Sequence, residues 1–350
     1  MNPTAACPVE EPSQVGHARR AAVSIAERLA FSEARAGQVA LVVSELATNL
    51  ARHAKRGEIL LRPIRADGGG SGLDGLEILA LDAGPGMPDF ALSRSDGHST
   101  AGSLGQGLGA IERQSHYFEL YTQPSGTVAL ARIWREPPKA VARQPRYLIG
   151  AVHVSKTGED VCGDAWDWRI RDDRLAILVA DGLGHGSSAH EAANLAIRIF
   201  DRSHEETPQR VIQDVHAGLR STRGAAVSMI AIDLERGVAR YSGVGNVSAV
   251  LHLATGTRHS LISHNGTAGH TAPRIQEFNY PVPAQSIVIV HTDGLGTHWD
   301  LTPYPGLRTR HPSVVAGILY RDFSRRRDDV TVVVAKEPEG NRAVPRSEKL

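Results

Sequence analysis

Leu175-Ala-Ile-Leu-Val-Ala-Asp181-Gly-Leu-Gly-His-Gly186 carries an apolar run straight into a carboxylate and a glycine-rich turn. The run has the length and composition of a buried strand, and the glycine after the acid lets the backbone turn sharply. The same arrangement recurs in Ile287-Val-Ile-Val-His-Thr-Asp293-Gly294. Asp164 follows Gly163 just before another strand-like run, and Asp328 and Asp329 introduce Val330-Thr-Val-Val-Val334. Carboxylates at strand ends converge on one rim of a sandwich, and hard oxygen donors without His or Cys partners suit Mg2+ or Mn2+. A single Asp-Gly pair is ordinarily a turn; the set points to metal.

Around this core lie further strand-like runs, Tyr147 to Val154, Val227 to Leu234, Val238 to Ser242 and Val247 to Leu253, with helical stretches at Ser187 to Phe200 and Gln209 to Ser221. Upstream, Glu136-Pro-Pro-Lys-Ala-Val-Ala-Arg-Gln-Pro145 breaks the apolar pattern, and its prolines disfavour both helix and central strand. The expected organisation is a first domain over 13–136, a linker over 137–146, a second domain over 147–337 and a tail over 338–350. Residues 1–12, polar and proline-containing, are expected to fray. The fold class is α+β, sheets with covering helices.

The first half opens with helical patterns at Gln14 to Leu29 and Glu33 to His53, then strand-like runs at Glu58 to Ile64 and Leu76 to Leu81 around the loop Asp67-Gly-Gly-Gly-Ser-Gly72, which reads as a hairpin. Glu45, Asn49 and His53 recur every fourth residue and share one helix face. Leu76 to Leu81 runs into Asp82-Ala-Gly84-Pro-Gly86, where the glycines admit a ligand to the backbone and Asp82 is placed to accept from an adenine amino group. Gly102-Ser-Leu-Gly105-Gln-Gly107-Leu108-Gly109 then leads into a helical pattern at Ala110 to Ser115, an arrangement that offers backbone N–H groups to phosphate.

In this order and spacing the first half resembles the Bergerat, or GHKL, ATP-binding fold over about Val15 to Trp134, and within it the anti-sigma-factor serine kinases of the RsbW and RsbT type. The resemblance implies an α/β sandwich that binds ATP with Mg2+ and phosphorylates a serine or threonine on a STAS-domain partner. Glu45 would be the general base and Asn49 would hold Mg2+ against the phosphates. Asp82, Gly84 and Gly86 would surround adenine, Thr127 of Ser125-Gly-Thr-Val would add a second adenine contact, and Gly105, Gly107, Leu108 and Gly109 would wrap the phosphates. Met87 to Ala101, with Ser93, Arg94, Ser95, Asp96 and His98, would be the lid. His53 reads equally as a helix-end histidine stabilised by the dipole.

The second half, from about Tyr147 to Lys336, resembles the SpoIIE and RsbX-like branch of the metal-dependent protein phosphatase (PPM) family, an α-β-β-α sandwich. On that resemblance Asp181 bridges two Mg2+ or Mn2+ ions, and the Gly182 carbonyl and Asp164 complete one ion's shell. Asp293 and Asp328 hold the other, while Asp329 ligates or orients its neighbour. Bound ions of this kind activate water for hydrolysis of phosphoserine or phosphothreonine. Two departures stand out: Leu183 occupies the position of a histidine found in eukaryotic members, and Lys156 is the only nearby base in place of their arginine. His185 reads either as a proton donor or as the start of the Ser187 helix, and Asn246 as a turn residue.

Thirty-nine basic against 38 acidic residues in a chain of 350 leave a net charge of +1, which disfavours nucleic acid or an acidic membrane as partner. Cys7 and Cys162 are too few for a disulfide framework or a zinc site. No apolar run approaches a membrane span, and the opening residues lack a signal peptide's pattern, so the expected location is the cytoplasm. The leading expectation is a phosphatase fused to an opposing serine kinase in a partner-switching pathway. Its partners would be phosphorylated STAS-domain proteins, with a sigma factor or a downstream phosphatase beyond them. A second reading gives the ATP domain a purely regulatory or docking role, and a third makes the protein a noncatalytic sequestering factor.

Overall fold

A computed structural model of the chain describes residues 4–65, 73–87, 104–137, 145–205 and 207–338. The lid segment after Met87, Gly102, the Gly-rich loop at 67–72, most of the linker and nearly all of the tail lie outside these residues.

The first sheet has strand order β1-β2-β3-β5-β4, all antiparallel: β1 (Ala5–Pro8), β2 (Glu58–Ile64), β3 (Gly75–Leu81), β4 (Tyr117–Gln123) and β5 (Gly126–Trp134). As the hairpin reading expects, β2 and β3 are neighbours, in register from Glu58 with Leu81 to Ile64 with Gly75. Residues 5–8 do not fray. They pair with β2 from Ala5 with Leu61 to Pro8 with Glu58, because Cys7 and Val9 are apolar and bury beside the first helices.

One face of this sheet is covered by α1 (Pro12–Arg28), α2 (Glu33–His53) and α3 (Leu104–Gln114). In α2 the N-cap is Ser32, whose side chain accepts from the Arg35 N–H. Val39, Val42, Val43, Leu46, Ala47 and Leu50 bury at helical spacing toward the sheet. Helix α3 begins at Leu104, six residues before the helical pattern expected at Ala110. Gly105, Gly107 and Gly109 are therefore helical rather than part of an open loop. Glycine is a poor helix former, so packing against α2 rather than propensity decides the boundary: a Cβ at Gly107 would come within 2.9 Å of Oε2 of Glu45.

The second half contains two five-stranded sheets. One has order β13-β10-β9-β8-β7, with β7 (Asp164–Arg171), β8 (Arg174–Gly182), β9 (Ala225–Asp233), β10 (Val238–Val244) and β13 (Phe278–Pro281). The other has order β12-β11-β14-β15-β6, with β6 (Leu148–Val154), β11 (Ser248–His252), β12 (Arg258–Ser260), β14 (Ile287–His291) and β15 (Val330–Lys336). Their inner faces share one core that includes Trp166, Ile177, Tyr241, Val290 and Val333. Helices α4 (Ser187–Arg202) and α5 (Pro208–Gly218) cover the first of these sheets on its outer face, and α6 (Pro312–Phe323) covers the second.

Helix α6 has no amphipathic stripe to read, since every residue from Pro312 to Arg321 is buried. It is sandwiched. Val314, Val315, Ile318 and Leu319 share a core both with Val152, Ile289 and Val332 of the adjoining sheet and with Leu60, Leu79, Leu81, Val128 and Leu130 of the ATP-half sheet. Truncating Ile318 or Leu319 to alanine costs about 2–5 kcal/mol in such a core. A buried polar knot crosses the same seam: Glu77 accepts from Arg62 Nη2 at 2.6 Å, Arg132 Nε at 2.8 Å and Ser313 Oγ at 2.7 Å. Burial pushes the Glu77 carboxyl up, but the two guanidinium groups and these hydrogen bonds more than offset that and hold it below the usual carboxylate range.

Candidate functional site

Between α2 and the ends of β3 and β5 lies an open cleft of about 550 Å3, lined by Leu46, Asn49, Leu50, His53, Asp82, Gly86, Met87, Leu108, Thr127 and neighbouring apolar residues. Of the residues expected to hold nucleotide, Asn49, Asp82, Gly86, Leu108 and Thr127 line it, together with His53. Glu45, Gly84, Gly107 and Gly109 do not; Glu45 sits one helical turn along α2 from Asn49, against α3. Oδ1 of Asp82 accepts the Gly84 N–H at 2.7 Å, and burial raises its carboxyl above the usual range. Gly86 has φ of 72°, and a Cβ there would come 2.0 Å from the Gln123 carbonyl oxygen, so only glycine lets the chain turn under the cleft. Thr122 Oγ1 accepts the Met87 N–H at 2.8 Å and lies 3.2 Å from Thr127 Oγ1, fixing the cleft's far wall.

The acidic residues gather at one end of the second half. Asp164 and Asp181 are register partners across β7 and β8. Buried Asp164 accepts at Oδ2 from Thr292 Oγ1 and Thr331 Oγ1, both at 2.8 Å. Asp329 takes the Lys156 N–H at 2.8 Å on one oxygen and the Gly163 N–H at 2.9 Å on the other. Asp328 accepts the Asp329 N–H, and Asp293 accepts from Asn246 Nδ2 at 2.8 Å.

Burial and neighbouring like charge raise three of these carboxylates. Asp164 is pushed up to about 8, first by burial and then by Asp329 and Asp293, against the pull of its two threonine hydroxyls. Asp181 is pushed up to about 9 by burial and by Asp164, Asp293, Asp328 and Asp329. Burial and Asp328 raise Asp293, while Arg325 and Asn246 oppose them. Among the described residues, no group of three or more His, Cys, Asp or Glu side chains is drawn together closely enough to hold a metal ion as placed. The donor set is oxygen only, and its mutual repulsion is of the kind divalent cations relieve, so the residues fit hard metal ions.

Several contributors lacked a sequence signal strong enough to select them. Thr292 and Thr331 orient Asp164, yet each sits in a β-branched strand run where threonine is unremarkable. Asn246, expected to be only a turn residue, is a hydrogen-bond partner of Asp293. His185 does not begin the helix: α4 starts at Ser187 with Gly186 as N-cap, and His185 Nδ1 pairs with Glu159 Oε1 at 2.7 Å. Leu183 is 55% exposed. His153, its Nδ1 2.9 Å from Thr331 Oγ1, stands behind Asp164, and burial lowers its pKa to about 3, so it is neutral.

Two architectures thus meet in one chain, a helix-covered antiparallel sheet with an open cleft and a two-sheet sandwich with an acidic rim. Residues 9–133 match the histidine kinase-like ATPase domain, and residues 171–337 match the stage II sporulation protein E (SpoIIE) family. The chain belongs to the histidine kinase-like ATPase family through its first half and carries a SpoIIE, PP2C-type phosphatase domain in its second. The serine/threonine-protein kinase RsbT of Bacillus subtilis (strain 168) is 37% identical over 103 residues, 29% of this chain and 74% of RsbT. Phosphoserine phosphatase RsbX of the same organism is 27% identical over 188 residues, 52% of this chain and 91% of RsbX. A chain solved in work on "The bacterial stressosome: a modular system that has been adapted to control secondary messenger signaling" superposes with a TM-score of 0.51 at 26% identity, over 54% of this chain and 99% of that one. The protein is therefore a fusion of a kinase-like ATPase domain with a PP2C-type phosphatase domain, similar to partner-switching regulators. Among the described residues no helix is long and apolar enough to cross a membrane.

Proposed function

We propose that this protein removes phosphate from phosphoserine or phosphothreonine on a STAS-domain protein at the acidic rim, and that its first domain, over 13–136, binds Mg·ATP as a serine/threonine kinase opposing the phosphatase domain at 147–337. The location would be the cytoplasm, with a sigma factor or a downstream phosphatase as the further partner. The observation that carries the phosphatase reading is the convergence of Asp164, Asp181, Asp293, Asp328 and Asp329, from four separate chain segments, on one rim where burial and like charge raise three of them.

Asp164, Asp181, the Gly182 carbonyl, Asp293 and Asp328 would hold two Mn2+ or Mg2+ ions, which when bound activate water and neutralise charge on the phosphoryl oxygens. The chain's own work is positional. Thr292 and Thr331 clamp Asp164, Asn246 aims Asp293, and Asp329, tied to two backbone N–H groups, fixes the turn that presents Asp328. In the ATP domain Asp82, Gly84, Gly86 and Thr127 would receive adenine and Asn49 the Mg2+ ion. Gly105, Gly107, Leu108 and Gly109 would present the start of α3 to the phosphates, and Glu45 would accept the acceptor hydroxyl's proton. The purified protein should release phosphate from a phosphoserine peptide with Mn2+ and lose that activity in chelator. Turnover that persists in chelator sinks the reading.

A second reading, in which ATP regulates the phosphatase, is favoured by one contact. Arg321 on α6 reaches under the nucleotide cleft to the backbone of Asp82, while the same helix leads within eight residues to Asp328 and Asp329. Radiolabel transfer from ATP to a STAS protein, compared between the wild type and Glu45→Gln, separates the kinase from the regulator.

A further inference from the structure

A phosphate monoester brings negative charge to a rim already built from five carboxylates, so the substrate needs a cation that those carboxylates do not already engage. Arg223 is placed for this. It lies in the Thr222-Arg223-Gly224 turn before β9, where the Gly224 carbonyl accepts the Leu183 N–H at 3.0 Å, and β9 then pairs Ala225 with Gly182 and Ala226 with Asp181. The turn is held by its own hydrogen bonds: Thr222 Oγ1 donates to the Leu219 carbonyl at 2.7 Å and accepts the Gly224 N–H at 3.0 Å.

The guanidinium group stands over the Asp181 to Gly186 turn. A Cβ at Gly184 would lie 3.2 Å from Nη1 of Arg223, and the Gly184 carbonyl in turn backs onto Gly163, whose N–H is held by Asp329. Arg223 is exposed and has no hydrogen bond or ion pair among the described residues. Other cations near the rim differ. Arg325 already acts on Asp293, and Lys156, whose backbone N–H serves Asp329, carries a compact ammonium rather than a guanidinium. A guanidinium also offers a planar fork that matches two phosphate oxygens, which an ammonium does not.

We propose that Arg223 is the phosphate-recognition residue of the phosphatase site, donating to the non-bridging oxygens of the phosphoserine or phosphothreonine monoester. This rests on the phosphatase reading above. The test uses the full chain with Mn2+ and measures two things: steady-state kinetics on a phosphoserine peptide, and inorganic phosphate binding by calorimetry together with its inhibition constant. Arg223→Ala should raise KM and weaken inorganic phosphate by roughly tenfold or more, the fold-change of a charge-assisted hydrogen bond. Mn2+ affinity should be unchanged, Arg223→Lys should recover part of the loss, and Lys156→Ala should leave phosphate affinity within about twofold.

Phosphate affinity and KM in Arg223→Ala within twofold of wild type would overturn the proposal, as would a fall in kcat alone or the same loss appearing in Lys156→Ala instead. If wild type lacks Mn2+-dependent turnover, the phosphatase reading fails. Arg223 fails on its own if the wild type is active and phosphate binds both proteins equally.

Discussion

Nη1 of Arg321 donates to the backbone carbonyl oxygen of Asp82 at 2.8 Å, joining a helix of the phosphatase half to the floor of the cleft beside α2. The contact is buried, with the Arg321 side chain only 4% exposed and paired to Asp322 at 2.7 Å. It also explains Gly126, since a Cβ there would come 2.0 Å from the Asp82 carbonyl oxygen and 2.7 Å from Arg321 Nη1. Among the described residues the Asp82 backbone is otherwise held by its β-type exchange with Thr127, so the guanidinium helps set where the end of β3 lies.

Arg321→Ala should therefore weaken Mg·ATP without touching the cleft itself. Loss of a charged donor to a buried carbonyl corresponds to about 1.5–3 kcal/mol, so affinity should fall roughly tenfold. Calorimetric titration of the full chain measures it, and an affinity within about twofold of wild type would mean that the Asp82 strand end is held by its own sheet.

Asp82→Asn changes the cleft directly. The Oδ1 that accepts from Gly84 is matched by the amide oxygen, but the other oxygen, which in the proposed site would accept from the adenine amino group, is replaced by a donor. ATP affinity should drop by roughly tenfold or more, with the protein's stability little altered because the Gly84 hydrogen bond survives. Unchanged ATP binding removes the adenine role from Asp82.

Asp181→Asn should abolish phosphate release yet stabilise the metal-free protein. Because the folded-state pKa of Asp181 is raised to about 9, the group's contribution is fully present below its unfolded value near 3.9 and is lost as pH rises toward 9. Wild type in chelator should lose stability across that window. The asparagine variant should gain about 1–2 kcal/mol over it at pH 8 and little at pH 5, a figure discounted for the partial exposure of the site. Urea denaturation at the two pH values reads this, and equal stabilities at pH 8 would show that the carboxylates do not strain one another.

Glu77 carries the opposite sign. Its carboxyl is held below the usual range, so its contribution is present above its unfolded value near 4.3 and is lost as pH falls through the lower folded value. Glu77→Gln leaves Arg62 and Arg132 without their shared counter-charge at the buried seam and should cost about 3–5 kcal/mol at pH 7. Against wild type, the variant's urea midpoint should lie much lower at pH 7 and converge with it in acid. A loss that does not shrink in acid would assign the effect to packing rather than charge.

The local chemistry was legible in the residues themselves. Helical spacing placed Glu45, Asn49 and His53 on one face, and apolar runs ending in Asp-Gly placed Asp181 and Asp293 at strand ends, because both patterns depend on periods of a few residues. Other assignments depended on contacts distant in sequence. The bond from Arg321 to Asp82 spans 239 residues and the one from Ser313 to Glu77 spans 236, so no local pattern announces either. Helix α6 was hidden because burial on every side erases the amphipathic period that marks a helix. Helix α3 starts early because Gly107 packs against Glu45, a tertiary gain that outweighs glycine's local preference. The sequence by itself determined which chemistry each half carries. Only tertiary packing decided that the two halves share a buried seam, with α6 serving as core to both, because Leu60, Leu79, Leu81, Val128 and Leu130 leave one face of the ATP-half sheet apolar and α6 packs on it.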